Sequence, residues 1–134
     1  MAGRVALDTT FLINIQRERA APEGERPAHD FLMTDPEVEL HLSTTALGEF
    51  AEGFADANDP VLRTVRDLHV LLPIDEETAL AYGRITRALR RAGRLIGTND
   101  LWIAAASLRY GLPLVTANVS DFSRVDGLEL LTYR

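Results

Sequence analysis

Short apolar runs alternate with amphipathic segments along the chain, and this alternation predicts strands and helices in turn. The first apolar run, RVAL, ends at an aspartate, and apolar side chains then recur at helical spacing from Phe11 to Ile15. Thr9 or Thr10 offers a hydroxyl that would cap this first helix. The region 20–28 contains two prolines and a glycine, so we expect a loop there, followed by a short helix at about 29–34.

The remaining chain continues the alternation and ends on a strand. Further strands are predicted at 38–42, 70–74, 112–116 and 128–132. Helices are predicted from Ser43 or Thr44 through the apolar stripe Leu47, Phe50, Ala51 and Phe54, from Pro60 to Leu68, from Asp75 to about Ala92, and from Thr98 or Asn99 to Gly111. Strands that alternate with helices predict a three-layer α/β/α sandwich around a parallel sheet, formed by residues 1–134 as a single domain.

Composition excludes several kinds of chemistry. The chain has no cysteine, and all 14 basic residues are arginine, so thiolate zinc sites, lysine Schiff bases and a Walker-type phosphate loop are ruled out. The formal net charge is -6, so any nucleic acid must be bound locally. No apolar run approaches the roughly 20 residues of a membrane span, and the start lacks the apolar core of a signal peptide. We therefore expect a cytoplasmic protein with no membrane partner.

Polar residues follow the strands where ligands gather in open α/β sheets, at the carboxyl ends. Asp8 follows the first strand, and Thr116, Asn118 and Asp121 follow the fourth. Asp100 lies in the first turn of a helix. Each acid also has a structural reading: Asp8 as a helix cap, Asp100 as a partner of the helix dipole, and Asp121 as a turn former.

The acids taken together indicate a cation. By periodicity Glu49 shares an acidic face with Glu52 and Asp56, which a solvated surface would also explain. If four carboxylates met, their repulsion would be relieved by a divalent ion such as Mg²⁺, which prefers oxygen ligands. The three histidines show no metal-ligand spacing, so we expect surface or core roles for them.

The ordered set of segments resembles the PIN-domain ribonucleases, and more narrowly the VapC toxins of bacterial type II toxin-antitoxin systems. The resemblance rests on four segments: LDTTFLI at 7–13, STTALGEF at 43–50, IGTNDLWIAAASLRYGLPLVTAN at 96–118 and SDF at 120–122. It covers nearly the whole chain. It implies an endoribonuclease that hydrolyses RNA phosphodiester bonds with Mg²⁺, or with Mn²⁺, and leaves a 5′-phosphate.

The resemblance also implies roles for individual residues. Asp8 and Asp100 become the principal metal ligands, with Glu49 and Asp121 completing the catalytic acids. Thr10, Thr116 and Asn118 match small polar positions of the family beside the metal and substrate. Ala117 stands where many relatives have arginine, which is a departure from the family pattern. The resemblance also leaves open whether Asn118 or Asp121 faces the metal.

Partners are implied by the same resemblance. Such toxins usually dimerise and are inhibited by a small VapB-type antitoxin, whose disordered tail commonly places an arginine on the acids. For RNA itself, the long helix has a cationic side, and that side carries Arg84, Arg87, Arg91 and Arg94, opposite Ala81, Ile85, Leu89 and Ala92. This side is a candidate binding surface for RNA phosphates. A solvated face or a contact with a protein partner would explain the arginines equally.

Two other functions compete. A phosphohydrolase of the haloacid dehalogenase type also begins with a strand ending in aspartate and threonine. That class needs a second aspartate two residues later and usually a lysine, whereas this chain has Thr10 and no lysine. A catalytically silent PIN-like module that only binds RNA or protein is the second alternative.

Overall fold

Five short strands form one parallel sheet in the computed structural model of the chain, which describes residues 3–134. The strands are β1 (Arg4–Leu7), β2 (Glu39–Ser43), β3 (Val70–Leu72), β4 (Leu114–Val115) and β5 (Leu130–Leu131). Their order is β3-β2-β1-β4-β5, and every neighbouring pair is parallel. The chain builds β2 and β3 on one side of β1 and then crosses to add β4 and β5 on the other. The order therefore reverses at β1 and β4, which is where ligands bind in such sheets.

Helices connect the strands, as parallel pairing requires. They are α1 (Thr9–Ala20), α2 (Pro27–Met33), α3 (Thr44–Ala51), α4 (Pro60–Leu68), α5 (Glu76–Arg91), α6 (Thr98–Tyr110) and α7 (Val119–Phe122). The helix α5 packs against α6, while α1 packs against α2 and α3. Gly111 ends α6 in a left-handed conformation with φ 68°, which glycine adopts without strain. These features confirm the predicted α/β/α sandwich with its central parallel sheet.

The apolar core lies on the central strands and the first turns of the helices that follow them. Leu7, Leu42 and Leu114 are buried on β1, β2 and β4. Phe11 is fully buried, and its ring packs edge-on against Tyr133 with 4.8 Å between ring centroids. Within residues 3–134 no helix has the length and apolar character needed to cross a bilayer.

Several helix ends differ from the sequence prediction. The side chain that caps α1 is Asp8, not Thr9 or Thr10. The carboxylate reaches the free N–H of the first turn because Asp8 itself has the extended conformation of a cap residue. The helix α2 begins at Pro27, two residues early, because proline fits the first helical turn.

Other differences lie in α3, α5 and α7. The helix α3 ends at Ala51, so Phe54 lies beyond it and contacts Phe50 from the following turn, with ring centroids 5.1 Å apart. Ala92 is exposed at the end of α5 instead of packing with the core. The helix α7 was not predicted, since four residues are too few to show helical periodicity.

Candidate active site

Asp8 is buried at the carboxyl end of β1, beside β4. Leu7 pairs with Val115 in the sheet, so the next residues of the two strands, Asp8 and Thr116, stand side by side. The Thr116 hydroxyl donates to Asp8 Oδ2 at 2.5 Å, and the Phe11 N–H donates to Oδ1 at 2.8 Å. Burial raises the pKa of Asp8 despite these two hydrogen bonds, which favour the ionised form.

A chain of hydrogen bonds continues from Asp8 into the segment that follows β4. The Asn118 backbone N–H donates to the Thr116 hydroxyl at 2.9 Å. The Asn118 side-chain amide then donates to Asp121 Oδ2 at 3.1 Å. Thr116 is fully buried and its hydroxyl orients Asp8, while its predicted contact with substrate stays a prediction.

Glu49 is held between two other elements of the site. The Thr9 hydroxyl donates to Glu49 Oε1 at 2.6 Å, and the Asn99 amide donates to Oε2 at 3.1 Å. Glu52 and Asp56 are exposed. The acidic face suggested by periodicity is therefore divided, because α3 ends at Ala51, before Glu52 and Asp56, while Thr9 and Asn99 hold Glu49 in the site.

Asp100, in the first turn of α6, experiences the field of all the other predicted acids. Its pKa is raised to about 6, first by burial and then by the negative charges of Glu49, Asp8 and Asp121. These four carboxylates come from α3, α6 and the segments after β1 and β4, as the sequence predicted. Asp100 thus lies near enough to the other three acids for their negative charges to raise its pKa.

The acids nevertheless do not form a closed cage. Across residues 3–134, no three histidine, aspartate or glutamate side chains stand close enough together to hold an ion by themselves. Mg²⁺ commonly keeps several waters and binds through one or two carboxylates. The site is an open group of carboxylates in which burial and neighbouring negative charges raise the pKa of Asp100. Such a group supplies the oxygen ligands that Mg²⁺ prefers.

The raised pKa of Asp100 predicts a pH dependence of stability in the metal-free protein. A carboxyl whose pKa is higher in the folded chain stabilises the fold when protonated, and this contribution is lost as pH rises through about 6. We expect Asp100→Asn to melt at a higher temperature than the wild type near pH 7, because Asn carries no charge. Near pH 4 the two melting temperatures should converge. Thermal melts in EDTA that show the same difference in melting temperature at every pH would contradict this prediction.

The remaining predicted residues are Thr10 on α1 and three arginines on α5. Thr10 is exposed, and among residues 3–134 its side chain has no hydrogen-bond partner. Arg84, Arg87 and Arg91 are exposed on α5. The structure divides them, since Arg84 borders one cavity while Arg87 and Arg91 border another beside Tyr82.

Three residues of the site were missed by sequence reasoning as contacts of the acids: Thr9, Asn99 and Arg124. Arg124 Nη2 lies 3.6 Å from Asp121 Oδ1. Its spacing of three residues from Asp121 is the one local signal that could have indicated this pair. The contacts of Thr9 and Asn99 with Glu49 join residues 40 and 50 positions apart, so no local pattern reports them.

Comparison with known proteins agrees with this geometry. The sequence matches the family model described as PIN domain over residues 5–128. It is 33% identical over 129 residues to Ribonuclease VapC1 of Haemophilus influenzae (strain R2866), a match that covers 92% of each chain. A shorter match to Ribonuclease VapC1 of Rickettsia felis is 43% identical over 68 residues and covers 51% of each chain.

A solved structure shows the same fold over nearly the full length. The structure of VapBC-1 from nontypeable Haemophilus influenzae aligns with a TM-score of 0.79 and 27% identity, covering 97% of this chain and 98% of that one. The family match, the full-length relative and the parallel sheet with acids at its carboxyl edge agree with one another. The chain therefore belongs to the PIN domain family, and within it to the VapC ribonucleases.

Proposed function

We propose that this chain is the endoribonuclease toxin of a type II toxin-antitoxin system and hydrolyses RNA phosphodiester bonds with Mg²⁺, or alternatively Mn²⁺. PIN-domain ribonucleases depend on divalent metal ions, and this chain belongs to that family. The observation that carries the proposal is that Glu49 accepts hydrogen bonds from Thr9 and Asn99, the neighbours of Asp8 and Asp100, so acids from three elements meet at one edge of the sheet; the raised pKa of Asp100 supports it. Gathering its three acidic neighbours around it costs folding free energy, which a bound cation would offset.

Each acid has a separate task in this proposal. Asp8 and Asp100 hold the ion, which when bound activates water and neutralises charge on the phosphate. The hydrogen bonds from Thr116 and from the Phe11 N–H fix the orientation of Asp8. Glu49 and Asp121 orient the attacking water and accept its proton.

In the proposed site, Asp121 faces the metal as the fourth acid, and Asn118 does not. Asp121 contributes to the raised pKa of Asp100, so its charge acts on the metal-binding group. The Asn118 side chain is already engaged, since its amide donates to Asp121 and its carbonyl accepts from the Asp121 N–H at 3.4 Å. Asn118 therefore acts by positioning Asp121.

RNA is held by groups around the acids. The exposed hydroxyl of Thr10, two residues after Asp8, contacts the substrate in this proposal. Arg84, Arg87 and Arg91 supply guanidinium groups that pair with phosphate oxygens. Such contacts offset the repulsion between RNA and a chain of net charge -6.

The partners follow from the family. The proposed inhibitor is a VapB-type antitoxin, since one solved structure with the same fold is that of VapBC-1 from nontypeable Haemophilus influenzae. A cationic side chain of the antitoxin would neutralise the acids and compete with the metal. We also propose a homodimer, a cytoplasmic location where RNA is present, and a single PIN domain over residues 1–134.

The proposed reaction is tested by incubating the purified chain with total bacterial RNA. We expect cleavage with millimolar Mg²⁺, none with excess EDTA, and recovery when Mg²⁺ is restored, because the acids repel both RNA and one another without the ion. Cleaved ends should carry 5′-phosphates, which permit adapter ligation without a kinase. The absence of any metal-dependent cleavage would favour the catalytically silent module.

A further inference from the structure

A cavity of about 560 Å³ lies between α5, the segment that follows α5 and the segment that follows α7. Its apolar lining includes Ile85 and Val125. Its charged lining consists of three arginines and one acid: Arg84, Arg94, Arg124 and Asp126. The cavity is thus locally cationic in a chain whose formal net charge is -6.

Two of these arginines form no ion pair in the part of the chain that the structure describes. Arg84 and Arg94 are exposed, and within residues 3–134 neither forms an ion pair. Arg109 is different, since its guanidinium lies 2.8 Å from Asp75 Oδ2 and 3.2 Å from Glu77 Oε2. Exposed guanidinium groups without acidic partners beside an apolar surface are suited to an anionic ligand that also has apolar parts.

The third arginine connects this cavity to the acids. Arg124 lines the cavity, and its Nη2 lies 3.6 Å from Asp121 Oδ1. Its Nη1 donates to the backbone carbonyls of Leu95 at 3.2 Å and Arg94 at 3.4 Å. One guanidinium therefore contacts both the cavity and a carboxylate of the proposed active site, so the two sites adjoin.

We infer that this cavity binds the RNA strand beside the bond that is cut, with Arg84 and Arg94 on its phosphates. This inference rests on the proposed ribonuclease function and deepens it. RNA carries an anion on every nucleotide, so a strand whose scissile phosphate lies at the acids presents its next phosphates to an adjoining cationic cavity. The apolar lining accommodates ribose and base. The Arg87 and Arg91 side of α5 borders a different cavity and is the secondary contact.

The test compares Arg84→Gln/Arg94→Gln with Arg63→Gln/Arg66→Gln, which removes the same charge from exposed positions on α4. Both pairs are made in the full chain with Asp8→Asn, so that RNA is bound and not consumed. Binding of a fluorescein-labelled, single-stranded RNA of mixed sequence is followed by fluorescence anisotropy at several NaCl concentrations. The cavity pair should weaken binding about tenfold and reduce the slope of log K against log[NaCl] by about 1.4, or about 0.7 for each lost phosphate contact. The α4 pair should change neither quantity.

An unchanged affinity and slope in the cavity pair would overturn the inference and leave the cavity to a protein partner. Equal losses in the two pairs would also overturn it, since they would report total charge alone. Failure of the proposed function is recognised separately, by the absence of EDTA-sensitive RNA cleavage in the chain without substitutions. If that chain cleaves RNA and the cavity pair leaves RNA affinity and its salt dependence unchanged, only the inference is refuted.

Discussion

Asp100→Asn is expected to reduce the rate of RNA cleavage at least about 100-fold at saturating Mg²⁺, because it removes a charged oxygen from the proposed metal site. Asp8→Asn should have a similar effect. The fold should survive both changes. Asn retains an oxygen that can cap α1 in place of Asp8, and neither substitution leaves a buried charge without a partner.

The matched control is Asp67→Asn, which removes one exposed acid from α4. Initial rates on total RNA, measured with circular dichroism spectra of each variant, would separate loss of chemistry from loss of structure. We expect wild-type activity for the control. Near-wild-type cleavage by Asp100→Asn or Asp8→Asn would remove those acids from the metal site.

Phe11→Ala is expected to have the largest effect on stability. The Phe11 side chain is fully buried and packs edge-on against two rings, Phe31 at 5.9 Å and Tyr133 at 4.8 Å between centroids. Truncating a buried phenylalanine typically costs about 3–5 kcal/mol, which combines lost burial and the cavity left behind. The change also loosens the turn whose N–H donates to Asp8, so cleavage should fall as well.

Urea denaturation of Phe11→Ala and of Leu80→Ala would measure this difference. Leu80 is 64% exposed on α5, so its truncation should alter the free energy of unfolding by no more than about 0.5 kcal/mol. If Phe11→Ala lowered the free energy of unfolding by less than about 1 kcal/mol, the contacts around its ring would contribute little to stability.

The sequence predicted the order and type of the longer elements because their apolar periodicity was strong. The helix α4 and the cap of α5 at Asp75 were located correctly, and Gly111 ends α6 as expected. Helix ends were less predictable because cap residues compete locally. Asp8 and the two threonines that follow it are all suitable caps, and only the backbone conformation decides among them.

The places of the candidate residues in the fold could be predicted, but the contacts between their side chains could not. The rule that ligands gather at carboxyl ends of strands located Asp8 and Asp121, and the family resemblance added Glu49. The contacts of Glu49 with Thr9 and Asn99 depend on how α1, α3 and α6 pack together, which no local pattern specifies. The hydrogen bond from Thr116 to Asp8 likewise joins residues 108 positions apart, so no local pattern reports it.

The position of β4 in the sheet has a consequence for protein synthesis. Asp8 and Glu49 are translated before Asp100 and Asp121, and β4 pairs with β1. The carboxylates can therefore meet only after α6 and β4 have been translated and have docked onto the earlier strands. A nascent chain still attached to its ribosome thus lacks the complete cluster until Asp121 has been translated, which delays any cleavage of the RNA that encodes it.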